Sequence, residues 1–104
     1  MNPEIDARSL QARLAQADPP MVLDVRNVPE VAAEGAIEGS VLIPMNELPA
    51  RLTEVPEDRE IVTVCKRGAR SFNAAAWLRQ MGRQASSLQG GIDQWRALGL
   101  PVKR

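Results

Sequence analysis

The chain has no histidine, no tyrosine and a single cysteine, Cys65, among its 104 residues. Without histidine it can form no Ser/His/Asp or Cys/His catalytic pairing and no imidazole-ligated metal site. A lone cysteine excludes an intramolecular disulfide and a multi-cysteine metal cluster. Aromatic residues make up 3% of the sequence, so aliphatic side chains must fill most of a core drawn from its 44% hydrophobic residues. Neither sign of charge dominates, because 13 Lys and Arg face 13 Asp and Glu. The excess positive charge that nucleic acids and anionic membrane surfaces attract is missing, and neither is expected as a partner. No apolar run approaches the roughly 20 residues of a membrane-spanning helix. The start, Met1-Asn2-Pro3-Glu4, lacks the charged segment and apolar stretch of a secretory signal. The expectation is one cytoplasmic domain over residues 1–104, long enough to bury a single core without staples.

What is present alternates between helical and strand patterns. Asp6 and Ser9 are N-cap residue types, and Leu10, Leu14 and Ala17 share one helical face up to Asp18-Pro19-Pro20. Met21-Val22-Leu23-Asp24-Val25 reads as a strand buried on both sides. Residues 27–34 read as an irregular or weakly helical connection. Val41-Leu42-Ile43 forms a second strand stopped by Pro44, and Asn46 caps a short helix through Leu52. Residues 60–64 form a third strand, and the strongest helix pattern runs from Ser71 to Met81, with Gly82 as its stop. A short strand over 85–88 precedes a final helix opened by Gly90-Gly91. This alternation predicts an α/β fold, a mainly parallel central sheet flanked by helices on both faces. Strand C-terminal ends then share one edge, where sites of open parallel sheets lie.

Cys65 falls on that edge, at the head of Cys65-Lys66-Arg67-Gly68-Ala69-Arg70. A strand ending in cysteine, a basic turn with glycine and a helix start form an anion cradle around a thiol, because backbone N–H groups converge there. The same positive end favours the thiolate at neutral pH. An isolated cysteine is usually a small buried hydrophobe, but this placement makes Cys65 the candidate nucleophile.

With these residues in view, the chain resembles the single-domain rhodanese family of sulfurtransferases from about Met21 to Val102. The resemblance rests on Leu23-Asp24-Val25-Arg26 with Glu30, then Gly35, Ile37, Gly39, Ile43-Pro44 and Glu47-Leu48. It continues through the loop Cys65 to Ser71, then Gly90-Gly91-Ile92, Trp95 and Gly99-Leu100-Pro101-Val102. The resemblance implies a rhodanese-like fold and a double-displacement reaction needing neither cofactor nor metal. The Cys65 thiolate takes the sulfane sulfur of a donor such as thiosulfate or a persulfide, leaving a cysteine persulfide. A thiol or cyanide acceptor then removes it. Lys66, Arg67, Gly68, Ala69, Arg70 and Ser71 are the expected substrate-binding residues, with loop N–H groups holding the anionic sulfur. The Cys-x4-Arg spacing is shorter than that of cysteine phosphatases and fits one sulfur atom better than a phosphate. Three positions depart from the family pattern: Ala36 for a frequent histidine, Val31 for an aromatic residue and Ser40 for alanine.

Some of the remaining residues carry two readings. Lys66 and Arg67 either steer a dianionic donor of the thiosulfate type, ahead of 3-mercaptopyruvate, or form a solvated charge pair. Arg70 either braces the loop carbonyls or is a surface helix residue. Gly68 supplies a backbone geometry that other residues resist. Asp24, Arg26 and Glu30 are expected to form a structural ion-pair cluster that positions the segment before Gly35. Trp77, Trp95, Met21, Met45 and Met81 are assigned to the core. A thiosulfate sulfurtransferase is the first expectation. The alternative is a persulfide carrier or sensor that relays sulfur to a protein partner with little small-molecule turnover. A non-catalytic regulatory module would ordinarily lack the cysteine.

Overall fold

The computed structural model describes residues 3–104. Five strands, β1 (Glu4–Ile5), β2 (Met21–Asp24), β3 (Val41–Leu42), β4 (Glu60–Val64) and β5 (Gln84–Leu88), form one sheet in the order β1-β5-β4-β2-β3. All pairings in it are parallel. Helices α1 (Ala7–Leu14), α2 (Val28–Glu34), α3 (Ala69–Gln80) and α4 (Gly91–Ala97) complete the α/β fold.

Alternation along the strands divides the core into two layers. On one face Met21, Leu23, Ile61, Cys65 and Ala85 pack with Ala74, Ala75 and Leu78 of α3. On the other, Val22, Val62, Val64 and Leu88 pack with Ala7 and Leu10 of α1 and with Ile92 and Trp95 of α4. Helices thus cover both faces, as the sequence predicts. Small residues in α3 and β5 let helix and sheet approach closely. At the centre, β2 and β4 are neighbours in register, Asp24 beside Val64. The chain leaves them in opposite directions, from β2 toward β3 and from β4 toward β5. This is the topological switch point at which open parallel sheets leave a crevice. Cys65 follows the last residue of β4 at that point.

Several elements differ from expectation. Residues 28–34 form a regular helix, started by a capping box in which Asn27 and Glu30 each accept from the other's backbone N–H at 3.3 Å. No residue of α2 is buried, so it lacks the apolar stripe by which a helix announces itself. The helix expected from Asn46 to Leu52 is two 3₁₀ turns, Met45–Glu47 and Leu52–Glu54. α1 stops at Leu14, before the residues expected to close it, and α3 starts at Ala69, two residues earlier than expected. β1 was not anticipated. Its two residues are too few to show a period, and it adds to the sheet edge through Gln89 N–H donating to the Ile5 carbonyl at 2.8 Å. Trp95 is buried, and its indole N–H donates to the Pro101 carbonyl at 2.8 Å. Met21 lies in the core, Met45 and Trp77 pack partly buried against it, and Met81 is exposed beyond the end of α3. Among the described residues, no helix is long and apolar enough to cross a membrane.

Candidate active site

The loop after β4 is tied down from both neighbouring layers. The Thr63 hydroxyl, at the end of the strand, donates to the Ser71 carbonyl at 2.7 Å and fixes the first turn of α3. Gly68 takes φ +107°, a left-handed conformation that reverses the chain into the helix. From the opposite layer, Ile92 and Asp93 N–H at the start of α4 donate to the Cys65 and Lys66 carbonyls, at 2.9 and 3.0 Å. Gly91 sits so close that a Cβ there would overlap both of those carbonyl oxygens. The carbonyls that open the loop are therefore taken up by α4.

The inner side of the loop faces the thiol. Gly68 N–H donates to Cys65 Sγ at 3.1 Å, and Ser71 N–H does so at 3.3 Å. The Ser71 hydroxyl oxygen lies 3.4 Å from the sulfur, donates to the Gly68 carbonyl at 3.2 Å, and is 2.7 Å from the Ser87 hydroxyl on β5. Cys65 is 1% exposed, and Ser71 and Ser87 are fully buried. Burial alone would raise the thiol pKa. The Ser71 hydroxyl and the Ser71, Gly68 and Arg67 amides overcome that effect and hold it below the value of an ordinary cysteine. The result is a dry nest of neutral donors around one sulfur atom.

The outer side is a ring of matched charges. Lys66 Nζ lies 2.6 Å from Glu34 and 3.3 Å from Asp93, and Arg67 Nε lies 3.5 Å from the same Asp93. Arg70 grips Glu30 with two hydrogen bonds of 2.7 and 2.8 Å. Chiefly through these bonds, and against a smaller burial penalty, Arg70 lowers the Glu30 carboxyl pKa from 4.5 to about 2. Beneath the ring, fully buried Arg26 binds Asp24 at 2.7 Å and the Gly35 carbonyl at 2.8 Å, with Glu34 at 3.5 Å from it.

A family model described as Rhodanese-like domain matches residues 6–98. The chain belongs to the rhodanese family. It is 41% identical over 100 residues to a sulfurtransferase of Allochromatium vinosum, covering 95% of this chain and 92% of that one. The thiosulfate sulfurtransferase GlpE of Pseudomonas aeruginosa is 34% identical over 89 residues, with 85% of this chain and 80% of that one covered. The crystal structure of a rhodanese-like domain protein from Staphylococcus aureus superposes with a TM-score of 0.87 at 31% identity, over 100% of both chains. These relatives support sulfur transfer as the general activity of the rhodanese fold seen here.

Within this rhodanese loop, the expected residues divide into three groups. Gly68 and Ser71 meet Cys65 directly, and Arg67 contributes through its backbone amide. Ala69 opens α3 with its methyl exposed. Arg70 reaches Glu30 and leaves the loop carbonyls to α4, which differs from the bracing role expected of it. Lys66 is held between two carboxylates and is not a free steering cation, although 38% of its side chain is exposed, and the Arg67 side chain stays 80% exposed. The Asp24–Arg26 pair does hold the segment at Gly35, but Glu30, expected in the same cluster, pairs with Arg70 instead. At the departure Ala36, the backbone bridges to Lys103 in the C-terminal segment, with hydrogen bonds of 2.9 and 2.7 Å.

Sequence reasoning missed Ser87, Glu34, Asp93 and the packing role of Gly91. Ser87 carries no local signal, since a serine in a short strand is unremarkable until α3 is laid against it. Gly91 and Asp93 carry a partial one, because they lie in and beside the Gly90-Gly91-Ile92 signature. That signature marks the segment without saying that it touches the loop.

Proposed function

We propose that the protein is a sulfurtransferase of the rhodanese type, working through a persulfide on Cys65. The Cys65 thiolate attacks the outer sulfur of a donor such as thiosulfate or a persulfide. A bond forms between Sγ and that sulfur, and the S–S bond to the sulfonyl group breaks in the case of thiosulfate. Sulfite leaves with the bonding electron pair. A thiol or cyanide acceptor then attacks the outer sulfur of the Cys65 persulfide and restores the thiolate. The Gly68 and Ser71 amides stabilise negative charge on Sγ and, after the first step, on the sulfur bound to it; the Ser71 hydroxyl joins them by turning its proton from the Gly68 carbonyl to the sulfur once the thiol has ionised. Preorganised donors of this kind are each worth about 3 kcal/mol in comparable anion holes. No proton need move to or from an imidazole, so the lack of histidine is no obstacle.

One observation carries this reading. The sole cysteine is buried at a strand end with neutral donors aimed at its sulfur. The test is thiocyanate formation from thiosulfate and cyanide, by wild type and by Cys65→Ser. Turnover abolished by the substitution supports the enzyme. Negligible wild-type turnover, with one sulfur atom added to Cys65 by intact mass, would instead mean a carrier that passes sulfur to a protein partner.

A further inference from the structure

We infer that Asp93 sets the donor preference of the loop, by completing with Glu34 the neutralisation of the two cations beside the thiol and so removing selectivity for a doubly charged donor. The inference rests on the sulfur-transfer reading above. Lys66, Arg67 and Arg70 put three cations on and beside the loop, and Glu34, Asp93 and Glu30 put three carboxylates against them. Buried Arg26 is matched in turn by Asp24. The site therefore presents almost no net charge to an approaching molecule, although the loop reads as strongly basic.

Asp93 is the acid that holds both cations at once, and its position is set by its own backbone. Its N–H donates to the Lys66 carbonyl at 3.0 Å, which fixes the start of α4 against the loop. Its carboxylate meets Lys66 Nζ at 3.3 Å and Arg67 Nε at 3.5 Å. Glu34 is the other partner of Lys66, but it also faces Arg26 and serves the buried cluster. Asp93 is thus the residue whose charge can be removed while the backbone contact is kept. The donor sulfur is then recognised mainly by the neutral amides, which act on the transferred atom and are indifferent to the charge on the rest of the donor. A singly charged donor, or one whose charge lies far from the sulfur, is accepted on nearly equal terms with thiosulfate.

The test compares thiosulfate, a dianion, with benzenethiosulfonate, a monoanion that delivers the same sulfane sulfur and releases a sulfinate. For each, kcat/KM is measured with cyanide as acceptor, for wild type, Asp93→Asn and the double variant Lys66→Gln/Asp93→Asn. Asp93→Asn is expected to raise the thiosulfate-to-benzenethiosulfonate ratio roughly three- to tenfold, through a lower KM for thiosulfate, at low ionic strength. Added salt erodes that gain, whereas the wild-type ratio stays nearly flat with salt. Removing Lys66 as well returns the ratio toward wild type. A ratio unchanged in Asp93→Asn, or a wild-type thiosulfate rate that falls steeply with salt, overturns the inference and leaves the sulfurtransferase standing. Absence of wild-type turnover with both donors overturns the enzyme reading and this inference with it. Loss of stability in the variant would depress both donors together and leave their ratio unmoved.

Discussion

The two sides of the loop after β4 are built from opposite materials. The inner side is dry and uncharged: two amides and a hydroxyl surround a sulfur that is 1% exposed, with a second buried hydroxyl behind them. The outer side is wet and ionic, with Lys66 and Asp93 each 38% exposed and Arg67 80% exposed. Electrostatic interactions are strong where water is excluded and weak where it is not. The neutral side therefore governs the reactivity of Cys65, and the charged side shapes the loop and tunes which molecule approaches. A sequence with two basic residues beside a cysteine invites the reverse conclusion.

Changes to the inner side should have the larger effects. Gly91→Ala is expected to be the most disruptive structural substitution, because the new methyl overlaps the Cys65 and Lys66 carbonyls and Gly91 sits at φ +61°. A cost of about 2–4 kcal/mol follows from combined overpacking and backbone strain, and urea unfolding measures it. Activity should fall further than stability, because the displaced carbonyls belong to the loop that positions Cys65. A Gly91→Ala protein with wild-type stability and rate would contradict the role given to α4.

Ser71→Ala should raise the thiol pKa, since its hydroxyl is the largest of the influences that lower it. Alkylation of Cys65 by iodoacetamide follows the thiolate, so the variant's rate should begin to rise only at higher pH than that of wild type. Ser87→Ala should act in the same direction and less, through the Ser71 hydroxyl that it supports at 2.7 Å.

On the outer side, Glu30→Gln should alter how stability depends on pH. Glu30 has a folded-state pKa of about 2 against an ordinary 4.5, so its pairing stabilises the fold above the ordinary value. That contribution is lost as pH falls from 4.5 toward about 2. The stability gap between wild type and Glu30→Gln should therefore close over that interval, as thermal melts across acid pH would show. The smallest effect is expected for Lys66→Gln, whose ion pairs are partly exposed. Its melting temperature should stay close to that of wild type.

How much of this was legible in the sequence depends on distance along the chain. The segment from Glu60 through Gln80 could be read directly, because an apolar run, a unique cysteine, a glycine and a helical pattern follow one another. The resemblance to rhodaneses set out the remaining order of elements and joined Glu30 and Arg70 to one pattern. It did not say that they touch, and their pairing spans forty positions. Helix α2 was indistinct because a polar capping box holds it and no buried stripe does. Ser87 and Asp93 lie more than twenty positions from Cys65 and reach the loop only once β5 and α4 have packed. The charge balance of the whole chain was visible at once, but the residue-by-residue cancellation around Lys66 is a property of the folded surface.

The most direct measurement is the pH titration of the Cys65 thiolate by its ultraviolet absorbance. A chain with one cysteine, no histidine and no tyrosine makes that signal unusually clean. It should be run on wild type, Ser71→Ala and Lys66→Gln/Arg67→Gln. The wild-type midpoint should lie below that of ordinary cysteine, with a clear upward shift in Ser71→Ala and little change when both cations are removed. A midpoint that rises with loss of the cations and ignores loss of the hydroxyl would contradict the governing role of the neutral side.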